Sequence, residues 1–311
     1  MDRLQAMHTF VRVVETGSFS AVARERHTTQ STVSKQIAAL EHALGVRLLN
    51  RSTRALALSE AGAHYFEQAR RLVAEVDDLE AALRQGEQRL VGPLRVAAAV
   101  GFGRLKLMPL VQRFLEAHPD VSIDLRLHDG FVDLVEQGVD VAVRIGELGD
   151  SSLIARRIGT SYRMALASRG YLASLPAAPR SPADLARHNC LVYTELSAGN
   201  AWLFTAGEGA GVAAGTTQTI RVRGNLQSNS SEVIRSAVLS GMGIAYSPSW
   251  LFDAEMASGE VVRLLPGWVA TSPPIHLVYP RARAQAARVR AFSDFVADAL
   301  RSGPGGSAQA G

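Results

Sequence analysis

Residues 18–45, SFSAVARERHTTQSTVSKQIAALEHALG, decide how the rest of the chain is read. The stretch predicts two short helices joined by a turn at His27-Thr28-Thr29, the second ending at Gly45. In that second helix Val33, Ile37, Leu40 and Leu44 follow at spacings of four, three and four, one apolar stripe of an α-helix. Ser31, Ser34, Lys35 and Ala38 fall on the opposite side, with Gln30 just before them. Slim residues, hydroxyls, an amide and one long cation suit a helix that enters a DNA major groove and meets base edges and phosphates.

The flanking sequence extends this into a winged helix-turn-helix. Leu4, Met7, Val11 and Val14 predict a preceding helix that stops at Gly17, and Ser20 is the expected cap of the helix AVARER. Val46–Leu49 and Ala55–Leu58 read as two short strands. The wing between them, Asn50-Arg51-Ser52-Thr53-Arg54, carries two guanidiniums and two hydroxyls suited to phosphate or minor-groove contact. Residues 1–54 hold eight Lys and Arg against four Asp and Glu, an excess equal to the formal net charge of +4 for the whole chain. The basic excess therefore sits at this end, as expected of a nucleic-acid-binding unit. A three-helix bundle that binds nothing would share the helix pattern but would not need the wing arginines or the local charge.

Residues 4–62 resemble the N-terminal domain of LysR-type transcriptional regulators. The likeness is carried by the FSAVAR helix, the SxxSKQIxxLE helix, the LGVRLLNRSTR approach to the wing and the LSEAG start of a long helix. Members of that family often have Pro where Ser31 stands and Phe where Leu49 stands. The resemblance implies DNA contacts from Gln30, Ser31, Ser34, Lys35 and Arg54, to which the wing composition adds Arg51 and Thr53. It also implies a homodimer or homotetramer on inverted-repeat double-stranded promoter DNA, helping or blocking RNA polymerase.

Length and composition bound the rest. A chain of 311 residues is expected to hold two or three compact units. Hydrophobic residues at 47% and charged residues at 20% are ordinary globular values. No apolar run approaches a membrane span, and the start at Asp2-Arg3 does not read as a signal peptide. Cys190 is the only cysteine, so no internal disulfide and no cysteine zinc site are expected. These features predict a cytoplasmic chain with no metal and no cofactor. The ending SGPGGSAQAG is too polar and glycine-rich to pack, and residues 303–311 are expected to be disordered.

Ser59 is the expected N-cap of a long linker helix, and no proline interrupts the chain from there to Gln88. Tyr65, Ala69, Leu72, Val76, Leu79 and Leu83 repeat at spacings of four and three, which predicts a coiled-coil seam between two copies of the chain. A helix lying on its own domain is the alternative reading.

From Gly92-Pro93 onward, apolar strands alternate with helices. LRVAAAV, Val121–Leu127 and VDVAVRI form one unit; MALAS, CLVY, IRVRG and GIAYS form a second; IHLVYP and a helix bearing Val289, Phe292, Val296 and Leu300 return to the first. The predicted fold class is α/β, with an all-α winged helix-turn-helix at the N-terminus and a bilobal effector domain that resembles type-2 periplasmic binding proteins. The expected boundaries are 1–59 for the DNA-binding domain, 60–91 for the linker helix and 92–302 for the effector domain. Within the last, lobe I covers about 92–164 and 270–302, and lobe II about 165–269.

Small molecules in such folds sit beyond the strand ends, where helix N-termini offer free N–H groups. The candidates are Val100, Gly101 and Phe102; His128 and Asp129; Arg144 and Gly146; and, from the second lobe, Asn229, Ser230 and Ser247. Relatives often carry Ser or Thr at Val100 and Gly101, which leaves the backbone N–H groups as the donors here. Arg144 suits a small anionic effector; its competing role is an ion pair with Asp129 or Asp140. No GxSxG, HExxH, P-loop or EF-hand pattern occurs, and no catalytic residue is expected. A cytoplasmic solute-binding protein or enzyme, with the N-terminal domain as an oligomerisation module, is the alternative to a regulator.

Overall fold

Asp2 accepts from the N–H groups of Leu4 and Gln5 and starts α1 (Arg3–Thr16), which ends on Gly17 in the left-handed conformation that glycine adopts freely. The computed structural model describes residues 2–51, 56–83, 90–130, 133–149, 152–284 and 286–302. These fall into two compact units, Met1–Gly92 and Pro93–Gly311.

In the first unit α2 (Phe19–Glu25) is capped by Ser18, whose side chain accepts from Ala21 N–H, rather than by the expected Ser20. The helix starts two residues before the expected Ala21 because Phe19 itself packs on the core. α3 (Gln30–Leu44) is capped by Thr29 and ends at Gly45. Val33, Ile37 and Leu40 bury the predicted stripe against Phe10, Val13, Val22 and Leu48. β1 (Leu49–Arg51) and β2 (Leu56–Leu58) form the antiparallel base of the wing. Val46–Leu48 is not a strand. Glu41 of α3 accepts from Leu48 N–H at 2.8 Å and Leu49 N–H at 3.0 Å, so a carboxylate takes the bonds a strand partner would have made.

Ser59 holds Gly62 N–H at 2.9 Å and opens α4 (Glu60–Leu83). Gly62 is irreplaceable by a larger residue, because a Cβ there would lie 1.9 Å from the Leu48 carbonyl oxygen. One face of α4 does lie on its own unit: Ala69 and Val73 are buried with Val11, and Tyr65 and Phe66 pack beside them. The seam therefore divides, since Tyr65 and Ala69 face α1 whereas Leu72 is 50% exposed.

The second unit has two five-stranded sheets. Lobe I is built from β3 (Gly92–Ala98), α5 (Val100–Phe102), a π-helical turn (Gly103–Leu107), α6 (Met108–Ala117), β4 (Val121–Leu127), β5 (Val141–Ile145) and β6 (Leu153–Thr160). The chain then crosses to lobe II. That lobe comprises β7 (Arg163–Ser168), α7 (Arg169–Ala173), β8 (Cys190–Tyr193), β9 (Ala201–Ala206), β10 (Thr217–Arg221), β11 (Gln227–Ser228), α8 (Ser231–Leu239), β12 (Ile244–Pro248), α9 (Asp253–Ser258), β13 (Val261–Arg263) and β14 (Trp268–Ala270). It crosses back into β15 (Pro274–Pro280) and α10 (Ala287–Ser302).

The sheet orders are β4-β3-β5-β15-β6 and β11-β8-β12-β7-β13. β3 and β5 run parallel, but β15 is antiparallel to both β5 and β6 because it enters lobe I from the opposite direction. A three-stranded sheet, β10-β9-β14, adds Trp202 and Phe204 to the lobe II core. The glycine-rich loop 207–216 joins β9 to β10, so it is a hairpin connection. The two crossings run side by side, with Ser161 N–H to Pro273 O at 2.8 Å and Arg163 N–H to Thr271 O at 3.2 Å.

Candidate functional site

The recognition face stands on the buried stripe of α3. Gln30, Ser31 and Lys35 are exposed and Ser34 is half-buried. Ser31 Oγ and Thr29 Oγ1 lie 2.9 Å apart, so the capping residue also orients the first hydroxyl of the face. Behind the face, Thr9 is fully buried in α1, lies 3.0 Å from Gln36 Oε1 and accepts from Arg26 at 2.9 Å. That small polar network fixes α3 against the two helices below it. Arg51 closes β1, whereas Thr53 and Arg54 lie outside the described residues.

Between the lobes the expected strand-end residues come together, but around a carboxylate of the chain itself. Asp129 follows β4. One of its oxygens accepts from Val100 N–H at 2.8 Å, and the other from Ser231 N–H at 2.8 Å and Ser231 Oγ–H at 3.0 Å. Val100 opens the helical run of lobe I and Ser231 opens α8 of lobe II, so both helix N-termini point at one side chain. Gly101 sits in the same contact, where a Cβ would be 2.9 Å from Leu251 Cδ1 and 3.2 Å from Ser231 Oγ. Phe102 is buried and meets the edge of Trp250 at 5.3 Å between ring centroids. Trp250 in turn donates to Ser161 Oγ on the crossing strand at 3.0 Å.

Other candidates take structural parts. His128 Nδ1 accepts from Gly130 N–H at 2.9 Å. Gly146 N–H bonds Pro274 O at 2.9 Å, with a φ of 132° that favours glycine. Ser230 is the N-cap of α8, Asn229 is exposed, and Ser247 is buried in β12. Burial lowers the pKa of Arg144, with Asp133 opposing. Asp140 is engaged by Arg95 N–H at 2.8 Å and by Arg283 at 3.2 Å.

Residues 4–63 match the description "Bacterial regulatory helix-turn-helix protein, lysR family", and residues 87–301 match "LysR substrate binding domain". The chain belongs to the LysR family of transcriptional regulators. It is 36% identical over 297 residues to the HTH-type transcriptional regulator CrgA of Neisseria meningitidis, covering 95% of this chain and 96% of CrgA. It is 35% identical to PtxR of Pseudomonas aeruginosa, covering 96% and 93% of the two chains. The solved structure of CrgA matches with a TM-score of 0.61 at 35% identity, covering 95% of this chain and 98% of that one. The full-length virulence activator AphB of Vibrio cholerae matches with a TM-score of 0.58 at 30% identity, over 94% and 98%. This LysR-family chain is thus a DNA-binding transcriptional regulator with an effector-binding domain, not an enzyme.

Sequence reasoning missed three residues of the regulator's cleft. Ser231 was passed over for its neighbour Ser230, although the residue just inside a cap is the one with a free N–H. Arg163 directly follows the crossing. Burial lowers its pKa while the Tyr246 and Tyr193 phenols oppose the shift, and no ion pair holds it among the described residues. Tyr193 closes β8, and its phenol is pushed up by burial, then by Asp129 and Glu195, with Arg163 opposing. Only the tertiary fold brings Arg163, Tyr193 and Asp129 into one neighbourhood. Among the described residues no helix is long and apolar enough to cross a membrane.

Proposed function

We propose that the chain acts as a homodimer which reads two half-sites of promoter DNA and shifts its DNA-bound arrangement when a small polar or anionic metabolite enters the cleft. The observation that carries the DNA reading is the exposed polar face of α3, held over a buried stripe with nothing of its own unit covering it. Gln30, Ser31, Ser34 and Lys35 read the groove, and the wing residues Arg51, Thr53 and Arg54 hold phosphate.

Pairing runs along the outer edge of α4 through Leu72, Val76, Leu79 and Leu83. Support comes from the exposure of Leu72 on a helix whose other face is already occupied. The side chains of Leu79 and Leu83 lie outside the described residues. A homotetramer spanning a longer operator is the extension of the same pairing. The effector lies among Val100, Gly101, Phe102, Asp129, Arg144, Ser230 and Arg163. Arg163 supplies a positive charge that lacks an ion-pair partner among the described residues.

Mobility shift of the full-length chain on the DNA flanking its own gene tests the reading. A discrete, competitor-resistant band is expected. Equal loss of the band to unrelated DNA would contradict it.

A further inference from the structure

We propose that the facing helix N-termini at Val100 and Ser231 form a carboxylate site which the chain fills with its own Asp129, so that an acidic effector binds by displacing Asp129. The proposal rests on the reading of the cleft as the effector site and says how that site is gated.

Both oxygens of Asp129 are used, and the three donors come from two lobes: Val100 N–H from lobe I, and Ser231 N–H and Oγ–H from lobe II. This is the donor set an external carboxylate would need, arranged at two positive helix ends. Asp129 is tethered two residues beyond β4, so its effective concentration at the site is high. An incoming acid must compete with that tethered group before it gains any bond. The lobes are also in contact here, since a Cβ on Gly101 would touch Leu251 and Ser231 across the cleft. Two further bridges cross the same line. Arg104 donates to both oxygens of Glu232 at 3.0 Å, and Lys106 pairs with Asp253 at 2.6 Å. Both are solvent-exposed pairs, weak in water and sensitive to salt. Asp129 is the half-buried member and the one bonded to backbone on both sides.

The consequence is a cleft closed without effector. A ligand shifts the regulator only by its differential affinity for the open and latched forms. Weak acids that would occupy an open site leave the wild type unmoved.

The test uses the full-length chain with sodium acetate as the probe and sodium chloride at equal ionic strength as the control. Acetate is expected to leave the wild-type Tm where chloride leaves it. Asp129→Ala is expected to melt below wild type and to be raised by acetate in a saturable way, because the vacated donors accept a free carboxylate. Adding Ser231→Ala to Asp129→Ala is expected to weaken that rescue. Acetate no better than chloride on Asp129→Ala, or equally effective on wild type, would overturn the proposal. Hydrogen exchange on the wild type gives a reading that needs no variant: protected Val100 and Ser231 amides support the latch, and exchange at free-loop rates refutes it. Rescue of Asp129→Ala with no metabolite response in wild type would uphold the latch and refute the effector reading. A wild-type response to a metabolite without rescue of Asp129→Ala would do the reverse.

Discussion

Lys35 and Arg54 carry the same charge but occupy different places. Lys35 lies on the exposed face of α3 that we propose enters the groove, whereas Arg54 falls in the sequence read as the wing, outside the described residues. Lys35→Ala is expected to cost about 1–3 kcal/mol on operator DNA and to relax the preference at one position, if it contacts a base edge. Arg54→Ala is expected to lower affinity on every sequence and to reduce the salt slope by about 1. Fluorescence anisotropy against salt, on operator and scrambled DNA, separates the two; wild-type curves for both variants would contradict the docking. Cys190 belongs to the same scale. Its thiol is fully buried, donates to Leu185 O at 3.4 Å, and burial pushes its pKa from 9.0 up to about 12. Folding thus favours the neutral thiol. The stability it contributes is complete below pH 9 and is lost as pH rises toward 12. Thiol reagents at pH 8 are expected to label the chain only after denaturation, and Cys190→Ala is expected to flatten part of its alkaline destabilisation. Rapid labelling of the native chain would show that the site opens. The exposed face of α3 was legible in the sequence because a 3.6-residue period fixes which side chains oppose a buried stripe. Ser231 and Arg163 were not, because their importance comes from contacts with residues far away in sequence.

At the scale of elements, α4 shows how far a heptad can be read. Its spacing was legible, but spacing alone does not say which partner an apolar side chain meets. Ala69 and Tyr65 meet α1 of the same unit, and Leu72 is left outside. Replacing Leu72 and Leu79 together by Asp is expected to abolish the dimer, since each change places an unpaired charge where an apolar side chain would meet its twin. Because Leu72 lies outside the core of its unit, the helical content of the N-terminal domain is expected to persist. Sedimentation of the double variant reads the outcome, and an intact dimer would place the interface elsewhere. The strands around Arg156 and Trp202 escaped sequence reading for opposite reasons. β6, LIARRIGT, is a polar edge strand whose arginines hide its pattern. β9, AWLFTA, alternates properly, with Trp202 and Phe204 inward and Leu203 outward, but is too short to stand out beside its glycine-rich loop. The wing approach at Val46–Leu48 read as a strand on β-branched and apolar content, yet the Glu41 carboxylate takes the N–H groups of Leu48 and Leu49.

At the scale of the whole molecule, the order of domains and the bilobal plan were legible. Each lobe repeats strand and helix, and IHLVYP had to return to the first sheet to bury its apolar face. The antiparallel setting of β15 follows from the direction of that return. What the sequence did not disclose is that the cleft is bridged by Asp129, because a carboxylate after a strand looks the same whether it waits for a ligand or replaces one. The regulator therefore combines an exposed polar face on α3 with an effector-binding domain whose lobes are joined through Asp129, and on the account proposed above an effector acts by shifting that closed arrangement. Nuclease footprinting of the full-length chain on the DNA flanking its gene, with and without a metabolite library, tests this most directly. Two protected half-sites about 34 Å apart, or a multiple of that, are expected, with a changed pattern when an acidic metabolite is present. A single unpaired footprint, or protection identical under every addition, would contradict a dimeric, ligand-responsive regulator.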